Sequence, residues 1–169
     1  MPIASHADAL PTVLRAGLTI GCLLFAGVAI AAAQDASTVP VPPVVDTAAL
    51  PPLAVAWPAE NPYRGNPLAA AVGRSAFNQS CAGCHGQDAD GARAPAPDLR
   101  RLGRSCQRVQ NLALKQRCIQ DVDHHFRTSV LRGKVKVGVR HMPAWEPVLQ
   151  PEVVWAIRTF IETSAVRPH

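Results

Sequence analysis

Cys81, Cys84 and His85 stand in the run Phe77-Asn78-Gln79-Ser80-Cys81-Ala82-Gly83-Cys84-His85-Gly86, and their spacing sets the chemistry open to them. Two thiols separated by two residues, with an imidazole directly after the second, form the signature of covalent haem attachment. The spacing lets each thiol reach one vinyl group of the macrocycle, and the imidazole beside the second thiol then comes up under the iron. Position alone makes His85 the proximal ligand. Two other readings compete. Cys81, Cys84, Cys106 and Cys118 could make a four-cysteine zinc cage, and Cys81 with Cys84 could be a redox-active pair. Neither accounts for His85 beside Cys84, nor for a methionine placed late in the chain. The motif occurs once, so the expectation is one covalently bound haem c per chain.

A six-coordinate iron needs a ligand on the other face, and the sequence holds only Met1 and Met142. Met142 lies in Arg140-His141-Met142-Pro143-Ala144-Trp145, after a loop containing Gly133 and Gly138. Pro143 stiffens the backbone there, and Trp145 is available to pack nearby. A lone methionine is more often core filler than ligand, but in a chain that already carries a haem motif a late Met-Pro suits His/Met ligation. Such ligation raises the reduction potential. His124, His125 and His141 are the rival sixth ligands.

These groups need elements to hold them. Residues 1–33 read as a secretory signal peptide: Arg15 precedes an apolar run from Ala16 to Ala33 that ends in three alanines. An uncleaved anchor is the alternative, since the run is just long enough to span a hydrocarbon core of about 30 Å. Cys22 sits inside the run, where it reads as filler. Residues 34–60 are rich in Pro, Ala and Val, with Pro40, Pro42, Pro43, Pro51, Pro52 and Pro58 spaced so as to exclude helix and central strand. An extended linker is expected there. Residues 61–169 remain for one small domain with a modest core. Within it, Asn66-Pro67 reads as an N-cap followed by proline at the first helical position, and Gly73, Phe77 and Cys81 fall four apart on one face of the same helix. A last helix is expected from Pro151-Glu152, with Val153, Val154, Ile157, Phe160 and Ile161 as its buried stripe and Trp155 flanking it. Asp121-Val122-Asp123 is expected to open a helix that ends near Gly133; acids in a first turn suit its dipole, and too few oxygen donors come after them for calcium.

From Pro67 onward these motifs resemble the class I cytochromes c. The resemblance implies an all-α fold in which the N- and C-terminal helices cross around a covalently bound haem, the small Gly73 and the aromatic Phe77 allowing a close crossing. It also implies that Pro97, in Pro97-Asp98-Leu99, offers its carbonyl to the proximal imidazole, fixing the ring and tuning the ligand, and that Leu99 packs on the haem. The chain departs from the plain pattern between Arg100 and His125, where an insert carries Cys106 and Cys118. Export favours persistent disulfides, and a bond between these two is expected. That insert, Asn61-Pro62-Tyr63-Arg64-Gly65-Asn66 and Met142-Pro143-Ala144-Trp145 together resemble soluble periplasmic cytochromes that accept electrons from PQQ-dependent alcohol dehydrogenases.

The function expected is electron carriage rather than catalysis, since there is no Gly-rich nucleotide loop and no nucleophile with its base. The alternative is a haem enzyme or gas sensor with an open distal site, and a cytochrome subunit held permanently in a dehydrogenase complex is a third reading. Between Arg93 and Arg140 stand twelve Lys/Arg against three Asp, while the rest of the exported part is acidic. A basic docking face is expected, meeting an acidic surface on a periplasmic dehydrogenase, with a terminal oxidase or another cytochrome as acceptor. Nucleic acid is an unexpected partner for an exported haem protein despite the basic pI. A monomer in the periplasm, without membrane insertion after cleavage, completes the expectation.

Overall fold

A computed structural model describes residues 39–165. The expected signal peptide, with Cys22, and residues 34–38 of the proline-rich segment lie outside the described residues. The chain runs through α1 (Pro67–Ser80), α2 (Ala82–His85), α3 (Leu112–Arg132), β1 (Lys134–Lys136), β2 (Val139–Met142) and α4 (Pro151–Thr163), with short 3₁₀ turns between α2 and α3. The fold is the mostly helical class I arrangement; the one departure among the described residues is the antiparallel β1–β2 hairpin. None of the described helices is long and apolar enough to cross a membrane.

α1 starts where the sequence sets it. The Asn66 side chain accepts from the backbone N–H of Leu68 and Ala69 at 2.9 and 3.2 Å, and Pro67 occupies the first helical turn. The most extensive packing in the domain is that of α1 on α4. Its closeness depends on Gly73, where a Cβ would run into the backbone carbonyl of Ala156. One turn on, Phe77 meets Phe160 with ring centroids 5.5 Å apart.

α4 is buried on all sides from Val153 to Ile161 rather than along one stripe. A helix buried all round needs cover all round, and the second cover comes from the proline-rich segment. Leu50 and Tyr63 join Ala69, Trp155 and Ala156 in one cluster with Leu53 against it, while Val45 and Trp57 pack on the main core. Residues 39–47 form neither helix nor strand, as the prolines require, yet they lie along the domain instead of trailing from it. Val44 and Gln79 exchange hydrogen bonds of 2.9 and 3.2 Å, the Ser80 hydroxyl donates to the Val41 carbonyl at 3.1 Å, and the Tyr63 hydroxyl donates to the Pro51 carbonyl at 2.7 Å.

α3 begins nine residues before the expected Asp121, because Asn111 caps it by accepting from Leu114 N–H at 3.0 Å. Asp123 is therefore mid-helix and wholly buried. Its carboxylate accepts from the Asn61 backbone N–H at 2.9 Å, from Arg64 Nη2 at 2.6 Å and from Arg158 Nε at 2.9 Å. It is thus an anchor tying the start of the domain to α4, and burying such a charge is tolerable only because both carboxylate oxygens are engaged by cations and an N–H.

Cys106, in the turn before α3, is bonded to Cys118 within it, the Cα atoms 5.6 Å apart. Replacing both by serine should lower stability by about 3 kcal/mol through the freed unfolded chain, seen as a lower urea midpoint with the haem spectrum retained. Intact-mass measurement of the wild type should find both thiols oxidised; two free thiols would remove the explanation.

Candidate haem site

The attachment motif sits where α1 hands over to α2. Cys81 caps α1, its N–H donating to the Phe77 carbonyl at 2.8 Å, and a single turn carries the chain through Cys84 to His85. Both thiols are free of a disulfide. Burial pushes the Cys81 thiol up to about 12, with the neighbouring Cys84 adding to the shift. A thiol so raised is a poor attacking thiolate for a redox-active pair. The disulfide consumes Cys106 and Cys118, so the four-cysteine cage is not formed.

His85 is held in place by the loop that leads to Pro97. Its Nδ1 lies 3.1 Å from the Pro97 carbonyl, which leaves Nε2 free for a metal. The Ala96 N–H donates to the Cys84 carbonyl at 3.1 Å, laying the Pro97 segment beside the motif. This approach needs Gly91, where a Cβ would strike the backbone of Pro97 and Asp98. Asp98 fastens the turn: its carboxylate accepts from Arg100 N–H at 3.0 Å and pairs with the Arg100 guanidinium at 3.0 Å, whose hydrogen bond holds it below the usual carboxylate range.

Three positioning residues carry no signal in the sequence. Asp88 and Asn78 bond reciprocally, at 2.8 and 3.0 Å, and Arg74 binds both oxygens of Asp88 at 2.8 Å. Hydrogen bonds from Arg74 first and Asn78 second keep the Asp88 carboxyl well below its ordinary range. The loop leaving His85 is thereby stitched back onto α1. Asp88 has φ of 53°, a left-handed conformation no motif announced; only the reverse turn after Gly86 hints at it.

On the other side, Met142 ends β2 and packs against the same core cluster as Cys81, Ala82, Leu99 and Leu102. The structure thus brings Cys81, Leu99 and Met142 to one cluster, with His85 beside it through Phe77, whose ring centroid is 6.4 Å from the imidazole. His124, His125 and His141 are exposed. The backbone of Met142–Ala144 passes directly over Gly133, which has φ of 69° and no room for a Cβ. Gly133→Ala should therefore displace the methionine segment, costing about 1–3 kcal/mol of stability, and, if Met142 is the sixth ligand, weaken or abolish the sulfur-to-iron band that such ligation would give; unchanged stability would show that the segment can give way without cost.

The donor set fits a haem: two thiols on one turn, an imidazole with Nδ1 already satisfied, and a thioether with no competing role. Residues 68–161 match the family described as cytochrome C oxidase, cbb3-type, subunit III. Cytochrome c550 of Pseudomonas aeruginosa is 34% identical over 147 residues, covering 85% of this chain and 91% of that protein. No solved structure matches the chain. Since the family match covers more than half of the sequence and the relative nearly all of it, the chain belongs to the class I c-type cytochromes, electron-transfer proteins, and its cofactor is covalently bound haem c.

Proposed function

We propose that the chain is a mobile periplasmic carrier in which Cys81 and Cys84 form the two thioethers, His85 and Met142 are the axial ligands, Pro97 orients the proximal imidazole and Leu99 covers the haem face. Haem c supplies the one-electron couple between ferric and ferrous iron. The protein's part would be to present His85 and Met142 to the haem from two held segments, so that little of the chain would reorganise when the electron moves. The observation that carries this reading is the pairing of a His85 already oriented by Pro97 with a Met142 seated on the same cluster as Cys81. With Met142 as sixth ligand, no open position would remain for gas or peroxide. Carbon monoxide tests it: the reduced protein at neutral pH should show almost no rapid spectral change, and a full, fast change would favour the open-site enzyme or sensor.

The donor that best suits the chain is a PQQ-dependent alcohol dehydrogenase, and the acceptor a terminal oxidase or another cytochrome. The cysteine insert, the Asn61–Asn66 run and Met142–Trp145 support the donor through the resemblance they carry. Charge supports the mode of encounter. Of the twelve Lys/Arg between Arg93 and Arg140, only Arg100 and Arg101 form ion pairs among the described residues, with Asp90 and Asp98. The others remain available to steer a partner of opposite sign, and such steering raises association rates by roughly 10–10³-fold at low salt. Lys134→Glu with Lys136→Glu should slow reduction by the donor at least about tenfold at low ionic strength. The defect should shrink as salt shortens the screening length, with the visible spectrum unchanged. Stopped-flow rates indifferent to both salt and charge reversal would remove the basic docking face.

A further inference from the structure

The β1–β2 hairpin carries three exposed apolar side chains within five residues: Val135, Val137 and Val139 are 66%, 102% and 54% exposed. Cross-strand pairs are Val135 with Arg140 and Lys136 with Val139. Paired residues share a face, so each face of the ribbon carries one valine beside one cation, and Val137 stands at the tip. Arg132, Lys134, Lys136 and Arg140 make no ion pair among the described residues, and no acid occurs between Arg132 and Trp145. The ribbon's base is Met142 itself, the register partner of Lys134.

The tip is not built for stability. Val137 and Gly138 both have positive φ, 50° and 77°, the pattern of a tight turn that favours Asn-Gly or Asp-Gly. A β-branched residue in that conformation is strained. Strain of this kind persists where it serves a function, and here it holds a bare isopropyl group in water at the end of a cationic finger.

We infer that this hairpin is an insertion finger, the apolar anchor of the docking complex, and that the electron-transfer partner presents an apolar cleft rimmed by carboxylates to receive it. The inference rests on the carrier reading. A flat basic face would need only charges; valines on both sides and at the tip fit a cleft, and the link to Met142 seats the partner close to the iron. A membrane is the poorer occupant, because three valines offer little apolar area to a bilayer, and electron exchange needs a partner protein near the haem, not a lipid surface.

The test uses the haem-loaded protein with two probes, a PQQ-dependent alcohol dehydrogenase as reductant and oxidase-containing membranes from the same organism as oxidant. Val137→Asn supplies the residue the turn prefers, so its melting temperature should equal or exceed the wild type's. Its second-order rate with at least one probe should fall roughly 5- to 10-fold, the scale of a truncated interface anchor. Unlike the lysine reversals, that loss should persist at high salt. Val135→Thr with Val139→Thr, which keeps strand propensity, should lose a similar factor. Wild-type rates for both variants with both probes would overturn the finger. So would concentration-dependent dimerisation of the wild type that Val137→Asn abolishes, or sedimentation with phosphatidylglycerol vesicles that depends on Val137. If the wild type itself exchanges electrons with neither probe, the carrier reading fails and the finger falls with it.

Discussion

Replacing Cys81 and Cys84 together by alanine should give a chain that carries no haem through a denaturing gel, a complete loss rather than a graded one. On the proposed attachment each thiol would contribute one thioether, and no other free cysteine among the described residues could substitute, since Cys106 and Cys118 are joined. The consequence extends beyond the cofactor. Cys81, Ala82, Leu99, Leu102 and Met142 are only partly buried against the core, and the haem is the apolar body that would complete their burial. A domain of this size has little stability to spare, so the double variant should also lose most of its helical circular dichroism at growth temperature. Single variants should retain haem weakly through one bond. Haem staining with a pyridine haemochrome assay on the purified variant decides it: covalent haem surviving the double replacement would end the attachment assignment.

The second large effect belongs to Met142. Alanine there should open the distal position, erase the weak sulfur-to-iron band at the red end of the oxidised spectrum and let carbon monoxide bind the reduced form quickly. The potential should fall by on the order of 0.1 V or more, because a thioether favours ferrous iron and axial ligands set potentials over about 0.8 V. Folding should survive, as Met142 is partly exposed and its segment is held independently: Trp145 N–H donates to the Val130 carbonyl at 3.0 Å, and Trp145 is buried in the core. That separates a ligand from a packing residue, since loss of mere core filler would cost stability and leave the potential alone. An unchanged band in Met142→Ala would hand the sixth position to another side chain.

The chemistry of this protein is legible in the sequence because covalent attachment is a local problem. Two thiols and an imidazole must fall within one helical turn, so five consecutive residues from Cys81 to His85 announce the cofactor without any knowledge of the fold. Helix starts are local in the same way: Asn66-Pro67 and Pro151 mark α1 and α4 through backbone groups only a few residues away. The close crossing at Gly73 followed from the family resemblance. The features that proved illegible depend on partners distant along the chain. Asp123 reads as a first-turn acid until Asn61, Arg64 and Arg158 converge on it. The proline-rich run reads as a free linker, because prolines forbid regular structure but say nothing about where Leu50 and Trp57 come to rest; tertiary packing laid it over α4 and turned a one-sided stripe into a fully buried helix. The seating of Met142 likewise depends on Gly133, nine residues upstream, where a missing Cβ lets two backbones touch. Local spacing thus determined which atoms could bind haem, and long-range burial and hydrogen bonding decided how they are held.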